Sequence, residues 1–340
     1  MDDRKMFILG AILQSYIHEG QPIGSRTLRR DYEMNISAAT IRNEMSDLEH
    51  MGYLEKAHTS SGRVPVEKAY RWYVDELLRR GEDPEPISAL SSRSLLKQSY
   101  DPESLLEQAL TILSDLTDSV AFALLPARTD DIIEKIRFLP LSAHELLTVT
   151  VFNTRFVDTE LIRLDGDYSK ERLERLGEIF QELFEGHRLC DVSAFLQSDY
   201  FSGTVTHGNL MSELIPTLLE RLNAKHGERV VFQGMAKWLR FVEGSDLPGA
   251  LQFLEELRTN SDFLGLLDQI SPQEGTIVRI GSENELPLLH RASLIATPFR
   301  VHDQVYGALG IIGPLRLHYR NAIGHVRRMG KYLDSITGRV

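Results

Sequence analysis

Apolar residues near the start of the chain recur at helical spacing and predict three successive helices. A wide stripe predicts a first, supporting helix and consists of Ile8, Leu9, Ile12, Leu13, Tyr16 and Ile17. Ser25 precedes a short second helical run, and Ser37 can cap a third. The third run keeps one apolar face, which is made of Ile41, Met45, Leu48 and Met51.

A two-stranded ribbon is predicted to follow the third helix. Gly52 ends the helix, a strand begins over Tyr53–Lys56, and the chain returns through Gly62 into Arg63–Pro65. Three helices and then a tight hairpin are the order of elements in a winged helix-turn-helix. The pattern therefore predicts a DNA-binding segment whose hairpin is the wing.

The polar face of the third helix carries the candidate base-reading residues Thr40, Arg42 and Asn43. An arginine can bond guanine bidentately in the major groove, and an asparagine can bond adenine in the same way. Taken one at a time, Arg42 and Asn43 are typical of ordinary solvated helix residues. The complete order of helices and hairpin favours DNA recognition over that alternative and over a protein-binding winged helix.

Further residues are predicted to hold DNA phosphates or the groove edge, and these are Ser25, Arg26, Ser37, Lys56, His58 and Arg63. The hydroxyl groups of the hairpin and the small Gly62 would let its tip approach a groove wall.

A fourth helix is predicted over Glu67–Arg80, with Tyr70, Tyr73, Val74, Leu77 and Leu78 on one face. Trp72 lies off that face, where it could reach a second subunit or cover its own domain. Proline, serine and acidic residues after Gly81 have the composition of a linker.

The remaining chain alternates between helical and strand-like patterns. Asp101 and Pro102 begin a helix that runs toward Thr117, and Ser169–Phe184 is also helical. Strands are predicted at Val120–Leu125, Ile132–Leu139, Leu146–Phe152, Phe156–Leu164, Thr276–Ile280, Leu294–Phe299 and Val305–Ile312. A mixed, mostly helical segment separates the two groups of strands, and a final helix spans Tyr319–Ile336. This order predicts an α+β domain interrupted by an insertion.

Five segments carry a family resemblance. Three lie near the start of the chain, and they read Gln21-Pro22-Ile23-Gly24-Ser25, Ser37-Ala38-Ala39-Thr40-Ile41-Arg42-Asn43-Glu44-Met45 and His58-Thr59-Ser60-Ser61-Gly62-Arg63-Val64-Pro65. Two are distal, and they read Val278-Arg279-Ile280-Gly281-Ser282-Glu283-Asn284 and Gly307-Ala308-Leu309-Gly310-Ile311-Ile312-Gly313-Pro314-Leu315-Arg316. In these segments the chain resembles the HrcA family, the bacterial heat-inducible transcription repressors. Leu315 and Leu317 are conservative departures from the Thr-Arg-Met run that is common in the family.

The resemblance implies a GAF-like domain with an inserted dimerising domain. It also implies a homodimer that binds an inverted-repeat operator of chaperone operons and represses them, with activity supported by the GroEL chaperonin. The predicted segments are residues 1–81 for the winged helix, 82–100 for the linker, 101–187 and 272–340 for the two GAF-like parts, and 188–271 for the insertion.

The net charge of −11 argues superficially against a DNA partner, but its distribution removes the objection. Residues 1–80 contain 12 lysines and arginines and 12 aspartates and glutamates, so the whole excess of negative charge lies in the rest of the chain. Repulsion from that acidic remainder should lower non-specific affinity and make binding depend on a specific site and on dimerisation.

Composition favours a globular cytoplasmic protein with no membrane partner, because no run approaches the roughly 18 apolar residues of a membrane helix. The single cysteine, Cys190, excludes an intrachain disulfide. It is expected to be a buried, inert thiol, with redox sensing as the alternative.

Neither an HExxH site nor a GxSxG elbow is present, so no enzyme, metal or cofactor is predicted. Gly307, Gly310 and Gly313 do not form a dinucleotide-binding fingerprint, and we interpret them as packing or turn glycines. The alternative function is a metabolite-responsive repressor with a ligand pocket in the GAF-like domain, beneath Arg279, Glu283 or Arg300.

Overall fold

The computed structural model describes residues 2–57, 62–80, 102–125, 127–154, 156–198, 229–241, 247–259, 275–301 and 304–337, together with residues 210, 214–218, 220, 227, 263 and 265. The predicted contact residue His58 and the predicted linker lie outside the described residues. The described helices and strands form a mixed α+β structure.

The first half of the chain contains α1 (Asp3–Glu19), α2 (Ser25–Asp31), α3 (Ala38–His50), β1 (Leu54–Lys56), β2 (Arg63–Pro65), α4 (Glu67–Arg80), α5 (Pro102–Thr117), β3 (Val120–Leu125), β4 (Ile133–Pro140), β5 (Glu145–Phe152) and β6 (Val157–Arg163). The second half contains α6 (Lys170–Phe184), α7 (Leu189–Leu196), β7 (Arg229–Gln233), α8 (Leu247–Thr259), β8 (Ile277–Ile280), β9 (Ala292–Val301), β10 (Gln304–Pro314) and α9 (Tyr319–Thr337). Short 3-10 turns lie at Met235–Phe241, Gly281–Glu283 and Pro287–Arg291.

The contacts divide the chain into two units, residues 1–125 with 230–340, and residues 126–229. The first unit is built on a five-stranded sheet of order β7-β3-β10-β9-β8. One face of this sheet packs against α5 and α9, and the other against Trp238, Phe253, Leu257 and Phe263. Because both faces are covered, β3 is buried along its whole length and carries an uninterrupted apolar sequence.

Strand β10 has glycines at positions where the neighbouring strands leave no space for a side chain. A Cβ at Gly310 would lie 2.2 Å from the carbonyl oxygen of Ile295 on the adjacent strand β9, and a Cβ at Gly307 would lie 2.3 Å from that of Leu124 on β3. These distances leave no room for a side chain, so their interpretation as packing glycines is confirmed.

The N-terminal helices and the five-stranded sheet share one hydrophobic core. Ile8, Ile41 and Val74 belong to the same buried cluster as Val278 and Tyr319. The Tyr70 and Tyr319 rings lie 5.9 Å apart and join α4 to α9. Trp72 packs against this cluster, so within the described chain it covers its own unit. The segment predicted as a separate domain, residues 1–81, is therefore continuous with the sheet.

The second unit contains a three-stranded antiparallel sheet of order β4-β5-β6. Its inner face carries Phe138, Leu146 and Ile162, which pack with Leu173, Leu176 and Phe180 of α6. Ser169 caps α6 by accepting from the Arg172 amide. A Cβ at Gly177 would lie 2.8 Å from the Phe138 Cβ, which shows how closely α6 approaches β4.

The opposite face of the three-stranded sheet carries a run of apolar side chains that is open within the described residues, with Lys135, Arg137 and Thr159 beside it on the same face. Side chains alternate between faces along a strand, and the pairing aligns Leu139 with Leu147 and Leu161, and Val151 with Val157. Leu139, Val157 and Leu161 are 47%, 49% and 44% exposed. Three strands thus present a contiguous apolar surface, which we call the open sheet face and which also includes Val149.

The bounds of this unit differ from those predicted for the insertion, residues 188–271. The strands β4, β5 and β6 were predicted, but they pair with one another and not with the five-stranded sheet. The second unit therefore spans residues 126–229, and it holds the half-buried Cys190, which was expected to be buried. Strand β7, inside the segment predicted to be mostly helical, joins the edge of the five-stranded sheet.

We predict that Phe180→Ala destabilises the protein by about 3–5 kcal/mol, the usual range for a fully buried phenylalanine. Phe180 is 1% exposed and lies 5.0 Å from the Phe138 ring and 5.2 Å from the Phe184 ring. Urea denaturation followed by circular dichroism measures the change. Leu183→Ala, at an exposed position of the same helix, is the control and should cost about 1 kcal/mol or less. Equal losses would contradict the assignment of this core.

Candidate nucleic-acid interface

The N-terminus of α3 is fixed by Ser37 and Thr40. Ser37 has extended backbone angles, and its hydroxyl oxygen accepts from the Thr40 amide at 3.0 Å. The two hydroxyl groups also lie 2.9 Å apart, so both side chains are held at the first turn. The predicted cap is confirmed, and Thr40 is half-buried beside it.

Helix α3 buries one face and exposes another. Ile41, Met45 and Leu48 are buried as predicted, whereas Met51 is 40% exposed. The prediction was wrong for Met51 because the helix ends at His50 and Met51 is its C-cap, off the buried stripe. Arg42 and Asn43 are exposed on α3. Within the described residues, Arg42 has no acidic partner.

The acidic side chains of α3 are neutralised by cations from outside the helix. Glu44 lies 2.8 Å from the Lys5 amino group and 3.6 Å from the Arg4 guanidinium, and Asp47 lies 3.1 Å from Lys5. Hydrogen bonds to Glu44 and then to Asp47 raise the pKa of Lys5. The start of α1 thus supplies the positive charge that offsets two carboxylates of α3.

The third acidic residue of α3, Glu49, binds the ribbon. Its carboxylate accepts from the Arg63 Nε at 2.8 Å and lies 3.5 Å from the Lys56 amino group. Arg63 has only 15% of its side chain exposed, whereas Lys56 has 69%. Arg63 therefore joins β2 to α3, and Lys56 is the more accessible cation of the two.

Ile23, which lies just before α2, forms an isolated antiparallel bridge with strand β2 of the ribbon. The amide and carbonyl groups of Ile23 and Arg63 exchange two hydrogen bonds, of 3.2 and 3.1 Å. A Cβ at Gly62 would lie 2.9 Å from the Pro22 Cβ. Gly62 thus leaves room for Pro22, and its predicted part in the approach of the hairpin to a groove wall stays a prediction.

The start of α2 differs from the sequence prediction. Gly24 is the N-cap and Ser25 is the first helical residue, buried to 7% exposure. A hydroxyl at that depth is not on the surface predicted to contact phosphates. Arg26, by contrast, is exposed.

Sequence reasoning missed Arg29, which is exposed near the end of α2 and has no acidic partner among the described residues. It also missed the role of Arg4 and Lys5, because their ion pairs join residues about 40 positions apart in sequence. The basic pair Arg29-Arg30 was the available signal for the first omission, and Arg30 itself pairs with Asp31 at 2.8 Å.

The residues suggested for a metabolite pocket take part in contacts inside the first unit. Arg279 lies 4.0 Å from Glu285, and both carboxylate oxygens of Glu283 accept from Arg71. The backbone amide of Arg300 donates to Asp334 on α9. No group of three histidine, cysteine or acidic side chains among the described residues is placed to hold a metal ion. None of the described helices is long and apolar enough to cross a membrane.

Comparisons with known proteins agree over the whole chain. The family model of the HrcA protein C-terminal domain matches residues 103–323. The heat-inducible transcription repressor HrcA of Thermoanaerobacter sp. (strain X514) is 35% identical over 100% of this chain and 98% of its own length. The repressor of the same name from Moorella thermoacetica (strain ATCC 39073 / JCM 9320) is 32% identical over 96% of this chain and 95% of its own.

A solved structure has the same fold. The crystal structure of a hypothetical protein at 2.2 Å resolution superposes with a TM-score of 0.76 and 25% sequence identity, covering 98% of this chain and 99% of that one. The matched family consists of transcription repressors and not of enzymes. By both the family model and these full-length relatives, the chain belongs to the HrcA family of heat-inducible transcription repressors.

Proposed function

We propose that α1, α2, α3 and the β1-β2 ribbon form a winged helix-turn-helix, and that α3 reads the bases of an operator. One observation carries the proposal. Every acidic residue of α3 is ion-paired inside the protein, while Arg42 and Asn43 are exposed on the same helix. A helix with that arrangement presents cationic and amide groups to the major groove without carboxylates that would repel phosphates.

The assigned contacts follow from exposure. Arg42, Asn43 and Thr40 read base edges, with Thr40 and Ser37 positioned at the helix start. Phosphate contacts come from the exposed Arg26, Arg29 and Lys56, and His58, which lies outside the described residues, keeps the role predicted for it from the sequence. Arg63 positions the ribbon through Glu49, and Ser25 lies beneath the contact surface.

Homodimerisation through the second unit is the next part of the proposal. The open sheet face is the exposed apolar surface expected where two copies meet, since contiguous apolar patches on soluble proteins mark interaction sites. A two-fold dimer matches an inverted repeat, with one reading helix in each half-site.

The five-stranded sheet with its helices is proposed to be GAF-like and to position the winged helix. On family grounds, the dimer represses chaperone operons in the cytoplasm, and the GroEL chaperonin supports its activity. Occupation of the chaperonin by heat-damaged proteins would then relieve repression.

We expect Arg42→Ala to weaken specific operator binding by about 1–3 kcal/mol and to relax the preference at one base position. The reason is the loss of bidentate bonds to a base edge. A titration at fixed salt on an operator and on a scrambled duplex measures both effects. Arg175→Ala removes an equally charged, exposed helical arginine from the second unit and should change nothing. Unchanged operator preference in Arg42→Ala would remove α3 as the reading helix.

Lys56→Ala should weaken binding to all duplexes alike, because a phosphate contact carries no sequence information. The slope of log K against log salt should become shallower by about 0.9, the contribution of one neutralised phosphate. The measurement is a titration series over several salt concentrations. Lys170→Ala is the matched control, since Lys170 is 67% exposed on α6. A salt slope equal to that of the unmodified protein would exclude the phosphate contact.

Leu161→Asp should convert dimers to monomers, because it places a charge within the open sheet face, on strand β6 beside Leu147 of the central strand. Losing the second half-site should lower affinity for the full inverted repeat by about 10²–10⁴-fold. Sedimentation equilibrium gives the oligomeric state. Leu183→Asp, at a similarly exposed position on α6, should leave the dimer intact. A folded Leu161→Asp protein that remains a tight dimer would refute this interface.

A further inference from the structure

The distal segment Val278–Asn284 comprises the end of strand β8 and a hydrogen-bonded turn at the edge of the five-stranded sheet. Strand β8 is an edge strand, and the 3-10 turn Gly281–Glu283 follows it directly. The Ile280 amide donates to the Glu283 carboxylate at 2.8 Å. Asn284 is 2% exposed, and its amide nitrogen donates to the carbonyl oxygens of Gly281 and Leu289 at 2.9 and 3.3 Å. None of these bonds serves the predicted DNA contacts.

Arg71 of α4 binds this turn through a bidentate contact with Glu283. Its Nε donates to Glu283 Oε1 at 2.7 Å, and one terminal nitrogen donates to Glu283 Oε2. The same nitrogen donates to the carbonyl oxygen of Val278 at 2.7 Å. Arg71 and Glu283 have 28% and 34% of their side chains exposed, so the pair is partly shielded from solvent. A planar guanidinium fixes both distance and angle in such a contact.

Glu67, one turn earlier on α4, makes a second contact with the same turn. Its Oε2 accepts from the backbone amide of Ser282 at 3.1 Å and from the Ser282 hydroxyl. Gly281 has a φ of +54°, and a Cβ there would lie 2.1 Å from the Glu67 Oε1. Glycine is therefore required both for the backbone angle and for the approach of Glu67.

The first turn of α4 also holds the end of α3. The Lys68 amino group donates to the carbonyl oxygen of Met51, the C-cap of α3, at 2.8 Å, and it lies 4.6 Å from the centre of the Tyr53 ring. The Val66 amide donates to the Tyr53 carbonyl oxygen at 3.1 Å. Neighbouring residues Glu67 and Lys68 thus bond the sheet-edge turn and the end of α3 respectively.

We propose that Arg71 and Glu67 are positioning residues for operator recognition. They fix α4 to the Gly281–Glu283 turn. Because Lys68 of α4 binds the C-cap of α3, they thereby also fix the orientation of α3 relative to the five-stranded sheet. This inference rests on the proposed DNA-binding function. The ligand is a DNA duplex that carries two half-sites at a fixed separation and with a fixed rotation of one half-site relative to the other about the helix axis.

The reason is geometric. A dimer gains from two half-sites only if both reading helices reach them together, and this gain is lost when the linkage between the helices is too loose or misdirected. Loosening α4 leaves each α3 intact, so it should affect the full inverted repeat and spare an isolated half-site.

The test compares Arg71→Ala with the unmodified full-length protein on three duplexes. These are an inverted repeat selected by the unmodified protein from a random pool, one half-site of it, and the repeat with about 5 base pairs inserted, half a helical turn. We expect Arg71→Ala to lower the ratio of full-site to half-site affinity by about tenfold or more. It should also reduce the penalty of the insertion, with half-site affinity unchanged.

Two further variants make the result specific. Arg79→Ala removes an arginine of the same helix that, among the described residues, pairs with Glu76 of α4 at 2.7 Å, and it should leave all three affinities unchanged. Glu283→Gln keeps an oxygen for the Ile280 amide but loses the charge, and it should add little to Arg71→Ala in a double-mutant cycle.

The outcomes separate the two proposals. An unmodified protein that selects no inverted repeat even after the GroEL chaperonin is added would overturn the DNA-reading function itself. If it selects one, an unchanged full-site to half-site ratio in Arg71→Ala would overturn the positioning role alone. An equal loss on full site and half-site would also overturn it, because that result indicates general destabilisation.

Discussion

The hydrophobic core that runs from α1 and α3 through α4 into the five-stranded sheet is the constraint on which the first unit depends. Tyr70 and Val74 are buried on α4 in the same cluster as Val278 and Tyr319, so α4 cannot move from the sheet without exposing apolar surface. Polar contacts at the rim of this core, such as Arg71 with Glu283, then select one orientation of α4, because hydrophobic packing alone is non-directional. The position of the N-terminal helices is therefore fixed by their packing against the five-stranded sheet.

Charge on α3 follows a related logic. The chain has a net charge of −11, and α3 itself contains three acidic residues. Lys5, Arg4 and Arg63 bind those carboxylates from other elements, so the ion pairs that hold α3 in place also leave its exposed side without uncompensated negative charge. The Lys5–Glu44 and Arg63–Glu49 pairs are largely shielded from solvent, so they position α3 and also set the direction of the local field. The same residues thus serve packing and the proposed recognition.

Local patterns in the sequence predicted local structure well, and contacts between distant residues account for the errors. Helix Glu67–Arg80 and strand Val120–Leu125 have their predicted bounds, because periodicity and caps are properties of neighbouring residues. The insertion was misplaced because strand pattern does not reveal which sheet a strand joins, and β4, β5 and β6 pair among themselves. The ion pair of Arg63 with Glu49 was not predicted, because Glu49 lies 14 residues away on another element. The depth of Ser25 and the end of α3 before Met51 likewise depend on tertiary packing.

Family resemblance identifies some residues that periodicity and capping patterns do not. These are residues whose role is visible only in the three-dimensional structure. The segment around Gly281 agreed with the HrcA family, yet it lies more than 200 residues from α3 and resembles no DNA-binding motif. Its glycine leaves room for Glu67, its glutamate receives Arg71, and its asparagine ties the turn to the following chain. A residue that sets the geometry of a surface need not lie on that surface. If two copies bind one duplex as proposed, such residues are under as strong a physical constraint as those that touch a base.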